Sequence, residues 1–301
     1  PAALRIVVLF IGGKLAAGLP VRVCLGAGSA IACPEKVGVI CAADGEITGA
    51  AMLDRLWAAD VVIIGERHDN PAHHARQAEI ARAMKPKGMA FEMVPTDRED
   101  AANNARAAGG DLKAALDWDA TGWPDWAMYA PIFDAAPDAH IAGAGAPRDQ
   151  LRASVGQGAA AVMGDRAAML GLTTVLPEDV MADMVDEQDR AHCGALPAVM
   201  LPGMVEAQRL RDGLLADAAL RLMEDNNGPV VVIAGNGHTR SDRGAPWYIR
   251  HADPSLTVMS VGLLEAGNSP EGIPFDIVIW TEKHDRGDPF EALIKSRQNS
   301  E

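Results

Sequence analysis

The sequence predicts an α/β protein: a mostly parallel sheet flanked by helices, with a smaller all-α helical lobe inserted before the late strands. Two observations support this prediction. Short apolar runs rich in Val and Ile alternate with segments of helical pattern, as in proteins built on parallel sheets. A long helical stretch also occupies about residues 155–228, between the earlier and the later runs. The 301 residues are enough for one large domain with such an insertion.

Six segments are predicted to be strands of this sheet. The first, Val61–Ile64, is a β-branched run of the kind that is buried on both faces of a parallel sheet. The run that ends at Ala234 is the strongest strand signal in the chain. The predicted strands cover residues 61–64, 88–93, 140–143, 229–234, 256–261 and 275–280.

Helical patterns fill the intervals between these strands. Asn70 followed by Pro71 predicts a helix start, because an Asn side chain caps free N–H groups and proline suits the first helical position. The predicted helices cover residues 71–85, 96–108, 123–136, 177–192 and 202–226. The last two belong to the inserted lobe.

Charge and composition exclude several classes of function. Asp and Glu number 41 against 27 Lys and Arg, which gives a net charge of -14. A nucleic-acid partner is therefore not expected, because binding to a duplex depends on neutralising its phosphates. Four cysteines are present, Cys24, Cys33, Cys41 and Cys193, and none forms the C-x-x-C pair of a zinc knuckle.

The N-terminal segment differs from the rest of the chain. Residues 1–33 contain no acidic residue, and 30–32 read Ala-Ile-Ala, the small-x-small form of a signal-peptidase site. The chain is thus divided into a leader or N-terminal extension, 1–36, and a domain, 37–301. This predicts an exported protein, periplasmic or anchored to the cell envelope through the leader or a lipid. Cys33 makes a poor lipidation motif, since Ala30 stands where Leu is usual, and a buried N-terminal strand is the alternative.

Ionisable side chains follow three of the predicted strands. Glu66 and His68 come directly after the first strand, Glu92 lies at the end of the second, and His238 follows the run that ends at Ala234. Ligands of open parallel sheets bind outside the carboxyl ends of the strands. Two carboxylates and two imidazoles at one edge suit either a divalent metal ion or general acid–base chemistry.

Other candidate binding residues lie on the predicted helices. His73 and His74 fall in the first turn after Asn70, and Gln208 and Asp212 share one helix face, which we predict points towards the strand ends. Each has an ordinary alternative, namely an exposed first turn or a solvated helix face.

Two further candidate binding residues are His192, at the end of a lobe helix, and Tyr129, in an aromatic-rich segment. The ordinary alternatives are a histidine that interacts with the helix dipole and a tyrosine of the hydrophobic core.

Several motifs, in order along the chain, resemble those of the ChaN-like haem-binding lipoproteins. The resemblance covers about residues 37–265. The matching segments are Val61 to Asn70 with His73 and His74, Ala90 to Met93, His192 to Pro197, Met204 to Asp212, and Ala234 to Thr239. The strand-end pattern is also similar to the wider superfamily that includes the TIKI and TraB proteins and the erythromycin esterases.

The resemblance implies an α/β core with a helical lobe and an exported bacterial protein that binds haem for haem or iron uptake. Haem-delivery or uptake proteins are the implied partners, and a homodimer closing over the haem is possible. We rank the candidate iron ligands as Tyr129, then His192, then His73 or His74. The superfamily implies an alternative, a hydrolase using Glu66, His68, Glu92 and His238, with or without a metal ion. A third alternative is an interaction protein in which these four residues are structural.

Overall fold

β-branched segments form the centre of an eight-stranded sheet in the computed structural model, which describes residues 33–226, 228–267 and 274–286. The strands are β1 (Ile40–Ala42), β2 (Gly45–Ile47), β3 (Val61–Ile64), β4 (Gly88–Pro95), β5 (His140–Gly145), β6 (Val230–Ile233), β7 (Val258–Glu265) and β8 (Ile277–Thr281). The α-helices of the described residues are α1 (Gly49–Trp57), α2 (Pro71–Met84), α3 (Glu99–Ala107), α4 (Leu112–Ala115), α5 (Trp118–Thr121), α6 (Trp126–Ala135), α7 (Arg148–Gln157), α8 (Ala159–Met163), α9 (Glu178–Ala191), α10 (Leu201–Asn226), α11 (Asn236–Thr239) and α12 (Ala245–Ala252).

The sheet is mostly parallel, as predicted. Its strand order is β2-β1-β8-β7-β3-β6-β4-β5, and the six strands from β8 to β5 run parallel to one another. β1 runs antiparallel to both β2 and β8, so a short hairpin closes one edge. β3 and β6 lie side by side near the middle of the sheet, with Val61 opposite Val230, and all their residues are buried.

Helices cover both faces of the sheet and create two cores. Val62 and Ile64 of β3 pack into a core that includes side chains of α1, α2 and α6. Val61 and Ile63 point to the opposite face and pack with side chains of α10 and α12. Successive residues of a strand point to opposite faces, so a β-branched run of four residues serves both cores.

The helical insertion lies between β5 and β6, as predicted, and runs from Arg148 to Asn226. Its longest helix, α10, packs against β4, β5 and β6 as well as against α7 and α9. α9 contacts α10 and buries only Met184. The insertion is therefore joined to the sheet through α10.

The structure differs from the sequence-based prediction at several boundaries. β7 covers Val258–Glu265 instead of residues 256–261, because pairing with β8 extends the strand through Glu265. β4 continues to Pro95, where it pairs with Gly145 of β5. The hairpin of β1 and β2 and the helix α1 were not predicted at all.

A disulfide bond joins Cys33 to Cys41 in β1, and this bond was not predicted either. Attachment of a lipid to Cys33 stays a prediction. The predicted leader falls mostly on residues 1–32, which lie outside the described residues. Within the described part, no helix combines the length and apolar character needed to cross a bilayer.

Candidate functional site

The four predicted strand-end residues meet at the carboxyl edge of the sheet. Glu66 and His68 follow β3, Glu92 lies within β4, and His238 lies in α11 directly after β6. Nδ1 of His68 is 2.7 Å from Oε1 of Glu66, and Nε2 of His68 is 4.0 Å from Oε2 of Glu92. Nε2 of His238 is 3.4 Å from Oε1 of Glu92. The predicted convergence of these side chains is thus confirmed by the geometry.

The helix α10 adds two polar side chains to this group. Nδ1 of His238 lies 2.7 Å from Oδ1 of Asp212, and the amide nitrogen of Gln208 lies 3.0 Å from the same ring nitrogen. Both α10 residues therefore point towards the strand ends, as their i, i+4 spacing predicted. Asp212, His238, Glu92, His68 and Glu66 form a continuous chain of alternating carboxylates and imidazoles.

Glu66 is held from three sides. The Tyr129 hydroxyl donates a hydrogen bond to Oε1 of Glu66 at 2.9 Å. Nδ1 of His74 lies 3.1 Å from Oε2 of Glu66, while Nε2 of His74 is 3.0 Å from the carbonyl oxygen of His68. Tyr129 and His74 are thus internal supports of this carboxylate.

Hydrogen bonds and neighbouring charges keep the two strand-end carboxylates ionised despite their burial. Burial would raise the pKa of Glu66, but hydrogen bonds from His68 and His74 outweigh it and lower the pKa to about 2. Burial would also raise the pKa of Glu92, yet the charge of His238 holds that pKa well below its usual range. Both carboxylates are therefore ionised at neutral pH.

The pKa values of the imidazoles of His68 and His238 are raised. Burial would lower the pKa of His238, but the carboxylates of Glu92 and Asp212 raise it to about 10. The pKa of His68 is raised against the effect of burial through its hydrogen bond with Glu66. Burial raises the pKa of Asp212 to about 6 despite its contact with His238. The network thus contains two ionised carboxylates, a protonated His238 and a third carboxyl group that titrates close to neutrality.

Two glycines allow this close packing. A Cβ atom on Gly65 would lie 2.1 Å from Oδ1 of Asn236, and one on Gly235 would lie 3.0 Å from Nε2 of His68. The backbone N–H of Gly235 donates to Oε2 of Glu92 at 2.7 Å. A side chain at either position would separate β3, β4 and α11 at the point where the network forms.

A cleft of about 690 Å³ opens from this network. His68, Glu92 and His238 line it at the strand ends, and Trp123, Arg148 and Arg211 are among its other lining residues. The ring centroid of Trp123 is 4.8 Å from that of His68. Sequence reasoning missed the two arginines, because residues this ordinary give no signal until the fold brings α7 and α10 together.

The ranked haem ligands lie in different environments. Tyr129, His73 and His74 are each at most 1% exposed. The backbone N–H of Arg67 donates to Nδ1 of His73, whose Nε2 lies 2.8 Å from the hydroxyl of Thr281.

Burial lowers the pKa of His73 to about 4, so its ring is neutral at physiological pH. The alternative of an exposed first turn is therefore wrong for both histidines, and in this conformation Tyr129, His73 and His74 present no open coordination position.

His192, unlike the three buried candidates, lies at the surface. It caps the C-terminus of α9, is partly exposed, and its Nδ1 lies 2.8 Å from the carbonyl oxygen of Gln188. Nε2 has no protein partner among the described residues, and His192 does not line the cleft. Of the ten predicted site residues, three line the cleft, namely His68, Glu92 and His238. The other seven lie outside its lining: Glu66, Gln208 and Asp212, which belong to the buried network, and Tyr129, His73, His74 and His192.

The structure gives no support to the predicted divalent metal ion. In the described ranges, no group of three or more His, Cys, Asp or Glu side chains has the arrangement that would hold a metal. The strand-end side chains are instead engaged with one another as carboxylate–imidazole pairs.

Comparisons with known proteins agree with the fold. A family model described as "Haem-binding uptake, Tiki superfamily, ChaN" matches residues 52–249, more than half of the chain. A structure described as cofacial haem binding to ChaN of Campylobacter jejuni is 21% identical, covers 80% of this chain and 95% of that chain, and has a TM-score of 0.63. The type III effector HopBA1 is 15% identical, covers 77% and 92% of the two chains, and has a TM-score of 0.44. No curated protein matches the sequence.

Proposed function

The chain belongs to the ChaN family of the Tiki superfamily, as its motifs predicted, and from this premise we propose that it binds haem. The observation that carries the assignment of a site is the environment of His192. Of the four ranked iron ligands, His192 alone combines solvent exposure with a ring nitrogen that has no protein partner in the described residues.

The hydrogen bond of His192 suits iron coordination. When Nδ1 carries the proton and donates to a backbone carbonyl, Nε2 is left as the metal-binding nitrogen with the ring held in place. The carbonyl of Gln188 occupies that position at 2.8 Å. His192 is therefore ready to supply the axial ligand without opening the core, whereas Tyr129 would have to leave Glu66.

The connection between α9 and α10, residues 192–200, also provides apolar surface. Val199 is 88% exposed and Met200 is 42% exposed on this connection. The porphyrin is a large, flat and mostly apolar group, so this surface suits it.

The test is a haemin titration followed by the Soret band. We expect His192→Ala to weaken haemin binding by at least about tenfold, the effect of losing roughly 1.4 kcal/mol. Tyr129→Phe, the neighbouring Cys193→Ser and the surface control His251→Ala should retain binding. Wild-type affinity in His192→Ala, or loss of binding in Tyr129→Phe, would contradict the assignment. Absence of haemin binding to the wild-type protein would contradict the function itself.

We also propose that haem promotes a homodimer. Haem bound at an exposed connection leaves one porphyrin face uncovered, and a second copy of the chain with its own haem would cover it. The Campylobacter jejuni relative is described as binding haem cofacially. Sedimentation velocity with and without one equivalent of haemin tests this, and a monomer at micromolar haem-loaded protein would contradict it.

We propose an oxidising location, the periplasm or the cell envelope, where uptake or delivery proteins would exchange haem with this chain. The support is the leader-like composition of residues 1–33 together with the Cys33–Cys41 disulfide, since such bonds persist mainly outside the cytosol. Thiol labelling of protein recovered from cell fractions is the test. Free Cys33 and Cys41 thiols in protein taken directly from its native compartment would contradict the proposal.

A second candidate function is acid–base hydrolysis in the cleft. The observation that favours it is the buried chain of carboxylates and imidazoles, which reaches the cleft through the partly exposed His68. Glu66 would hold His68 in one orientation while His68 moves a proton to or from a substrate or water. A panel of nitrophenyl esters tests this, with His68→Gln expected to reduce turnover at least about a hundredfold, the lower end of a general acid–base contribution.

A further inference from the structure

We propose that the cleft is a second binding site, separate from His192, for a small amphiphilic anion whose charged group is held by Arg148 and Arg211. The proposal goes beyond haem binding and does not depend on it. It rests on the charges, walls and size of the cleft.

The arginines of the cleft differ in their ion pairing. Three arginines line the cleft: Arg98, Arg148 and Arg211. Arg98 lies 3.5 Å from Asp117, which also lines the cleft. Arg148 and Arg211 form no ion pair with any residue that the structure describes. The lining also holds the carboxylates of Glu92, Asp97 and Asp117, so the cleft is mixed in charge. Within it, Arg148 and Arg211 are the guanidinium groups that an added anion can meet without displacing an ion pair among the described residues.

The two arginines come from different helices that meet at the cleft. Arg148 is the first residue of α7, and Arg211 lies on α10, one position before Asp212 of the buried network. The two helices pack against each other. Guanidinium groups offer several N–H donors to a carboxylate, phosphate or sulfonate group. Pro147 is the N-cap residue of α7 and makes no side-chain hydrogen bond to the helix. The backbone N–H groups in the first turn of α7 are therefore additional hydrogen-bond donors close to Arg148.

The remaining lining residues favour a ligand with an apolar body. Met93, Leu116, Trp123 and Leu151 line the same cleft. Trp123 packs on His68 and provides an aromatic surface close to the strand ends. A ligand that was only an inorganic anion would leave these side chains uncovered, whereas an aromatic or aliphatic anion would contact both parts.

The strand-end network explains why the anionic group belongs at the arginines. Glu92 is ionised and lies at the inner end of the cleft beside His238. A negative group placed there would face this carboxylate, while the same group near Arg148 and Arg211 meets opposite charge. The volume of about 690 Å³ lies within the range of small-molecule sites.

The test uses two fluorescent probes that share an aromatic frame. 8-Anilinonaphthalene-1-sulfonate carries one sulfonate group, and N-phenyl-1-naphthylamine lacks it. We expect the wild-type protein to bind the sulfonate at least about tenfold more tightly than the neutral probe. The variant Arg148→Gln/Arg211→Gln should lose this preference. Arg152→Gln, on the same helix as Arg148 but outside the cleft lining, is the matched control and should keep it.

Three results would overturn the proposal. They are equal affinity of the wild-type protein for both probes, an unchanged preference in the double variant, and an equal loss in Arg152→Gln. Acetate and inorganic phosphate as competitors then distinguish a carboxylate from a phosphate ligand. His192→Ala should bind the sulfonate normally, and the double variant should bind haemin normally. Haemin that displaces the probe from wild-type protein and from His192→Ala alike would show one shared site and contradict the separation.

Discussion

Tyr129 donates a hydrogen bond of 2.9 Å to Glu66, and this bond joins α6 to the carboxyl end of β3. The phenol is fully buried, and burial together with the charge of Glu66 holds its pKa well above the usual range. The hydroxyl is therefore a permanent donor. Its position identifies Tyr129 as a support of the network and accounts for its place in the aromatic core.

The first prediction concerns the stability that this bond contributes. Tyr129→Phe should lower the free energy of unfolding by about 2 kcal/mol, because a hydrogen bond to a buried charged group is lost while the ring remains. Urea denaturation measures this. Tyr248→Phe is the matched control: its hydroxyl lies 3.4 Å from Nε of Arg209, so the loss should be smaller. Equal losses in the two variants would contradict the importance of the Glu66 contact.

The second prediction concerns pH. The pKa of His238 rises from 6.5 to about 10 on folding, so its contribution to stability is complete below pH 6.5 and is lost as the pH rises towards 10. Glu92, Asp212, Gln208 and His68 face this ring. The free energy of unfolding of the wild-type protein should therefore fall more steeply between pH 6.5 and pH 10 than that of His238→Gln. Urea denaturation at several pH values gives both slopes, and parallel slopes would contradict the prediction.

The third prediction separates the cleft network from haem. Glu66→Ala combined with His238→Ala should keep most haemin binding, because carboxylates suit hard divalent ions better than haem iron. The conservative pair Glu66→Gln with His238→Gln serves as a second variant in case the alanine variant unfolds, and circular dichroism checks both. Loss of haemin binding in a folded double variant, with His192→Ala unaffected, would place haem at the strand ends.

Much of this arrangement could be predicted from the sequence. The runs Val61–Ile64 and Val230–Ile233 are β-branched throughout, so they had to be buried strands, and parallel strands bring their carboxyl ends to one edge. The i, i+4 spacing of Gln208 and Asp212 placed both on one helix face. Local pattern and topology together were therefore enough to assemble most of the network.

Other parts depend on contacts that no local pattern reveals. β1 and β2 have three residues each. β1 is held by pairing with β8 and by the Cys33–Cys41 bond, and β2 by pairing with β1, so their sequence carries little strand signal. In the sequence, His73 resembles an exposed residue of a first helical turn. In the structure its ring is buried and contacts Thr281, which lies more than 200 positions later in the chain. Arg148 and Arg211 likewise acquire a common role only when α7 packs on α10.

The last prediction concerns the segment that follows β8. Arg286 lies across the sheet edge, with Nη2 2.7 Å from Oδ1 of Asp69 and 2.7 Å from Oε1 of Glu265. Glu265 is buried at the end of β7 and also accepts a hydrogen bond from Asn70, the N-cap of α2. The guanidinium group thus links β7 to the start of α2.

Arg286→Ala should lower the free energy of unfolding by about 1–2 kcal/mol, since it leaves the buried carboxylate of Glu265 with fewer donors. The loss stays below that of a fully buried pair because solvent reaches Asp69, whose side chain is 46% exposed. Arg286→Lys should recover only part of it, since an ammonium group cannot bridge two carboxylates in the same fork geometry. Arg55→Ala, which removes the exposed ion pair with Asp44, is the control and should change stability little. Thermal and urea unfolding of the three variants measure these effects, and an Arg286→Ala protein as stable as Arg55→Ala would show that this link does not stabilise the sheet edge.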